Sequence, residues 1–177
     1  MRELVTGPSG AGKTRYTARR LREWVDANGP EAVVALDFAP EVERGGRVLG
    51  GRLTRFLDVP TGVRYEAIDA RAPRTESDDD RGALALAAAN ARRARRALAA
   101  VERDRPAPRA AFVNDATILF HHPDVDPAAL LAYLDGADLS VCNAFDGEEL
   151  GTDDPVSRAE RRALTRLRGW SDRERRL

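Results

Sequence analysis

Short apolar runs alternate along this chain with longer segments of helical period. The runs predict strands at Arg2–Thr6, Ala32–Asp37, Arg64–Asp69, Ala110–Asp115 and Leu139–Asn143, most of them closing on a polar or acidic residue. Three- and four-residue spacing predicts helices over Gly12–Asn28, Asp80–Asp104, Pro127–Leu134 and Pro155–Leu167. In the longest, Leu84, Ala87, Ala91, Ala94, Leu98 and Val101 make one narrow apolar stripe. Gly29 stands where the first helix should stop, and Asp126-Pro127 and Asp154-Pro155 read as an N-cap followed by Pro in the first turn. Such alternation predicts an α/β fold in one domain, 1–177, with about five mainly parallel strands and helices on both faces. Ligand sites of such sheets lie at the carboxyl ends of the strands.

Three stretches break the alternation. Residues 38–62 carry Gly45, Gly46, Gly50, Gly51 and Gly62 among Arg44, Arg47, Arg52 and Arg55, which predicts a hairpin-like flap. Residues 70–79 read as an exposed loop. The Arg-rich stretch from Arg158 to Arg176 reads as a surface helix with a frayed end, from which Trp170 packs back or meets a partner.

The chemistry concentrates at Gly7-Pro8-Ser9-Gly10-Ala11-Gly12-Lys13-Thr14, which follows an apolar run and opens an amphipathic segment. Lys13 is the only lysine among 29 basic residues, so this position stands out against a chain that otherwise uses arginine. Glycines at Gly7, Gly10 and Gly12 let successive N–H groups, with those of Ser9 and Ala11, curl around phosphate oxygens. The helix start adds partial positive charge at the same place. The segment matches G-x-x-x-x-G-K-[ST] and resembles the Walker A loop of P-loop NTPases. The resemblance implies a three-layer P-loop fold that binds a nucleoside triphosphate, with Lys13 on the β- and γ-phosphates and Thr14 on Mg²⁺.

A second carboxylate is then expected at a strand end. Ala110-Ala111-Phe112-Val113-Asn114-Asp115 resembles the Walker B element, with Asp115 as the metal-holding acid. Where many P-loop ATPases follow that Asp with a catalytic Glu, this chain has Ala116, which argues against fast hydrolysis. Asp37 and Asp69 also close strands; Asp37, followed by Glu41 and the flap, is the better candidate base. Arg44, Arg47 and Arg52 either reach over the γ-phosphate or are solvated. Pro40–Gly50 resembles the Glu-Val-Arg-x-Gly-Gly-Arg-x-x-Gly hairpin of small RecA-like nucleoside-triphosphatases, although that family has Asp-Glu at Walker B.

At the last apolar run, Asn143-Ala144-Phe145-Asp146 has the N-x-x-D spacing of the guanine loop of GTPases but lacks its Lys. Asn143 is therefore a candidate for contact with the base or ribose, or a plain turn residue. ATP is the expected nucleotide, with GTP open.

Composition narrows the partners. Hydrophobic residues are 42% and charged residues 33% of 177, which suits a globular protein, and 29 acids balance 29 bases. That balance argues against a nucleic acid or an anionic membrane as partner, and Arg92, Arg93, Arg95, Arg96, Arg103 and Arg105 are expected to form a solvated face. No run approaches the ~20 apolar residues of a membrane span, and no signal peptide is expected at the start. The lone Cys142, expected in the core, suits a reducing cytoplasm. His121-His122 reads as a solvated turn. Three classes stay open: a slow NTPase coupled to a protein partner, a kinase passing the γ-phosphate to a small-molecule acceptor, and a non-catalytic nucleotide-binding module.

Overall fold

The computed structural model describes residues 1–44 and 47–177, with side chains described outside 42–50. Along the chain come β1 (Arg2–Gly7), α1 (Lys13–Asn28), β2 (Val33–Asp37), β3 (Glu41–Arg44), β4 (Arg47–Gly50) and β5 (Arg64–Ala67). Then follow α2 (Pro73–Glu76), α3 (Asp80–Asp104), β6 (Ala110–Asn114), α4 (Ala128–Asp135), β7 (Leu139–Phe145), α5 (Pro155–Trp170) and β8 (Arg173–Arg176). Six strands form one all-parallel sheet in the order β5-β2-β6-β7-β1-β8. β3 and β4 pair antiparallel as a separate hairpin, as the glycine-punctuated pattern of 38–62 predicts; Gly45, Gly46 and the side chains of Arg44 and Arg47 lie outside the described residues.

The interior strands β1, β2, β6 and β7 are buried on both faces, hence their nearly unbroken apolar runs. Successive side chains go to opposite faces. Val5, Val33, Ala35, Phe112 and Val141 pack under α1 with Ala18 and Leu21. Leu4, Val34, Leu36, Ala111, Val113 and Cys142 pack under α3, α4 and α5 with Leu98, Leu134, Leu164 and Leu167. Helices thus cover both faces, and the architecture is α/β in three layers.

Two predicted segments are corrected. The chain after α5 does not fray: α5 runs to Trp170, and Arg173–Arg176 add a sixth strand parallel to β1. A strand there is paired on one side only and is largely exposed, so four charged residues stand where an interior strand has an apolar run, and the signal is hidden. Trp170 turns back onto the domain, its Nε1 donating to Asp135 Oδ1 at 2.7 Å. Within 70–79, Pro73–Glu76 forms a short helix that buries Pro73 and sends Arg74 inward. Asp79 caps α3, its Oδ1 accepting from Gly82 N at 2.6 Å. No described helix is long and apolar enough to cross a membrane.

Candidate active site

Both ends of the glycine-rich loop are fixed. On the amino side β1 lies between β7 and β8. On the helix side, buried Glu3 accepts from Tyr16 Oη at 2.6 Å and from Arg20 Nε at 3.1 Å, clamping α1 onto β1. Between these anchors Gly10 has φ 79° and Gly12 has φ 94°. A Cβ at either would meet nothing within 4 Å, so their requirement is torsional and not steric. Gly12 is the residue before α1 and gives it no side-chain cap, leaving the first-turn N–H groups at the loop. Lys13 Nζ folds back over the loop, donating to Gly7 O at 2.9 Å and Pro8 O at 2.6 Å. Burial pushes its pKa down, while the surrounding Asp115, Glu149, Glu160 and Asp146 oppose that shift. Thr14 follows Lys13 in the first turn of α1.

The candidate metal acid, Asp115, is not in its strand. β6 ends at Asn114, and Asp115 takes the left-handed conformation with φ 56°. Its N–H donates to Asn143 Oδ1 at 2.9 Å. Its carboxylate accepts no hydrogen bond from the described residues, and burial, then the nearby Glu160, push its pKa up to about 6. His121, Lys13 and Arg74 pull the other way. A partly desolvated carboxylate facing a lysine and lacking donors is well disposed to accept a cation.

Asn143 is buried, and its amide is used at both ends. Beyond Asp115 N, its Nδ2 donates to Thr17 Oγ1 at 2.9 Å and Asn114 Oδ1 at 2.8 Å. It lies within β7, not in a turn, and braces Asp115 and α1 from inside. Asn114 continues the network, donating to Asp37 Oδ1 at 2.7 Å and to Gly51 O at 2.9 Å. Asp37 is fully buried, and its Oδ2 accepts from Leu53 N at 2.7 Å and Tyr65 Oη at 2.9 Å. Burial raises its pKa against these donors. With its oxygens enclosed, Asp37 fixes the chain leaving the β3–β4 hairpin and offers no face to a solvent water. Asp69 is exposed beyond β5, at the far edge of the sheet. Arg52, the one flap arginine of the three whose side chain is described, donates to Ile68 O at 3.3 Å and pairs with Glu41 at 3.8 Å.

A second buried cluster adjoins Asp115. Glu160 of α5 accepts from Arg74 Nη1 at 2.6 Å and Thr117 Oγ1 at 2.7 Å, and meets His121 Nε2 at 3.0 Å. Burial alone would raise the Glu160 pKa, but His121, Arg74 and Thr117 together hold it down to about 2. The guanidinium of Arg74 also lies over the Phe145 ring at 5.4 Å, and Lys13 Nζ is 5.9 Å from the same ring. His121 is therefore corrected from solvated turn to buried partner. Glu160 carried a faint signal, an acid inside the apolar stripe of Val156, Ala159, Ala163, Leu164 and Leu167. Arg74 carried none, because only the tertiary fold brings α2 to α5. Cys142 is core as expected, its thiol pushed up to about 12 by burial.

The structure thus gathers Lys13, Asp115 and Asn143 at the carboxyl ends of β1, β6 and β7, with Thr14 at the start of α1. It holds Asp37 below that surface and Asp69 away from it. Among the described residues no three His, Cys, Asp or Glu side chains gather as a metal cage. The chain matches no protein-family model, and no curated protein matches it.

Proposed function

We propose that the chain is a P-loop protein that binds a nucleoside triphosphate, ATP or GTP, with Mg²⁺. One observation carries this reading. The Gly7–Thr14 loop joins the carboxyl end of an interior parallel strand to the start of α1, with its only lysine folded over the loop backbone. In that reading the loop N–H groups and the α1 start receive phosphate oxygens, and Lys13 leaves the Gly7 and Pro8 carbonyls to meet the β- and γ-phosphates. Thr14 and Asp115 suit Mg²⁺, which keeps most of its waters and needs few protein ligands. The metal would neutralise phosphate charge. Asn143 holds Asp115 in register by its backbone, and the Arg74–Glu160–His121 cluster keeps the neighbouring elements together.

The favoured activity is slow nucleoside-triphosphate hydrolysis coupled to a protein partner. One feature supports it: the β3–β4 hairpin is tied through Gly51, Leu53 and Asp37 to Asn114, the residue before Asp115, while Ala116 in place of a water-orienting Glu makes the hydrolysis slow. A kinase would need a proton acceptor near the γ-phosphate other than the enclosed Asp37.

Thermal unfolding with ATP or GTP, with and without Mg²⁺, tests the reading on wild type and Lys13→Ala. Ligand at a hundred times its Kd adds about 2.7 kcal/mol, which raises the midpoint by roughly 5–10 °C at this size. The expected result is a Mg²⁺-dependent rise that Lys13→Ala abolishes. No rise with either nucleotide overturns the reading.

A further inference from the structure

The segment after β7 reaches back onto the glycine-rich loop. Glu149 Oε1 accepts a hydrogen bond from Ser9 N at 2.6 Å. The segment is tethered on both sides. Asp146 N donates to Gly7 O at 2.9 Å, and the Asp146 carboxylate takes Arg168 Nη2 at 2.8 Å. Asp154 caps α5 through Ser157 N at 2.9 Å, and Gly151, at φ 96°, turns the chain between. Gly147 makes the contact possible, because a Cβ there would overlap Glu149 Oε2. A carboxylate on a backbone N–H is a charge-assisted bond of the kind a phosphate oxygen would make at the same atom.

We propose that Glu149 is a built-in competitor for the loop's anion seat, occupying it through Ser9 N–H and leaving only when a polyphosphate displaces it. This rests on the nucleotide-binding reading above. The loop is then competent only in the fraction of molecules with Glu149 released, and every ligand that uses the seat is weakened by the same factor. That common factor separates an internal competitor from a residue that touches the nucleoside.

Isothermal titration at fixed ionic strength with Mg²⁺ tests this, using ATP, ADP and pyrophosphate on wild type, Glu149→Gln, Gly147→Ala and Lys13→Ala. Glu149→Gln removes the charge, and Gly147→Ala evicts the carboxylate without altering it. Unliganded melting midpoints verify folding. Both variants should bind all three ligands tighter, by roughly tenfold and by one shared factor, and Lys13→Ala should bind none. Unchanged affinities in both variants overturn the competitor while nucleotide binding stands. A gain for ATP with none for pyrophosphate also overturns it, because Glu149 would then act on the nucleoside. Absence of binding in every protein overturns the nucleotide reading and this inference with it.

Discussion

The side-chain amide of Asn143 donates to the side-chain amide of Asn114 at 2.8 Å, and this contact joins the two halves of a buried polar chain. On one side Asn143 reaches Thr17 on α1 and the backbone of Asp115. On the other, Asn114 reaches Asp37, and through it Leu53 N and Tyr65 Oη. The chain crosses the carboxyl ends of β7, β6 and β2 below the surface where the glycine-rich loop lies. Each member is satisfied by the next, so removing one leaves buried donors and acceptors behind.

Asn143→Ala should therefore destabilise the protein by about 2–4 kcal/mol, since three hydrogen bonds go and their partners stay buried. Urea unfolding measures that loss. In the nucleotide-binding reading, the ratio of ATP to GTP affinity should not change. A changed ratio would return Asn143 to the nucleotide base.

Asp115→Asn should stabilise the unliganded protein at pH 7. Folding raises the Asp115 pKa from 3.8 to about 6, so the ionised form is disfavoured in the native state. The penalty is absent below the unfolded value and complete above the folded one, so stability falls as pH rises through this window. The variant should gain on the order of 1–3 kcal/mol at neutral pH and lose that advantage below about pH 4. The same variant should lose the Mg²⁺-dependent thermal shift. Thermal melts across pH 3.5–8 read both effects; a destabilised variant at pH 7 contradicts the burial argument.

Glu160→Gln should act with the opposite sign. The native pKa is depressed from 4.5 to about 2, so this carboxylate contributes stability above the unfolded value and loses it as pH falls toward the folded one. Removing the charge strands the Arg74 guanidinium in a buried place, at a cost of about 3–5 kcal/mol at pH 7. The difference from wild type should shrink steadily in acid unfolding curves between pH 4.5 and 2. A constant difference would mean that shape and not charge holds the cluster.

Trp170→Ala should cost about 3–5 kcal/mol, from the emptied core position and the lost bond to Asp135. Because β8 begins three residues later, its amides should also exchange faster in the variant than in wild type. Equal protection in wild type and variant would show β8 to be held by β1 alone.

The strands and helices that are legible in the sequence are those whose own burial writes a period into it. Val33–Asp37 and Ala110–Asn114 are buried on both faces and must be apolar throughout, and Asp80–Asp104 carries its stripe at helical spacing. The glycine-rich loop is equally local: left-handed Gly10 and Gly12 beside a lone Lys13 are a property of eight consecutive residues. Tertiary structure decided the rest, because it depends on which elements meet. Arg173–Arg176 becomes a strand only because β1 presents a free edge. Arg74 becomes a buried cation only because Glu160 comes within 2.6 Å of it. Asp37 and Asp115 look alike as acids at strand ends. One is enclosed by Asn114, Leu53 and Tyr65, and the other is desolvated yet free of donors among the described residues. Residue type states what a carboxylate can do, and the neighbours that pack around it state whether it can do it.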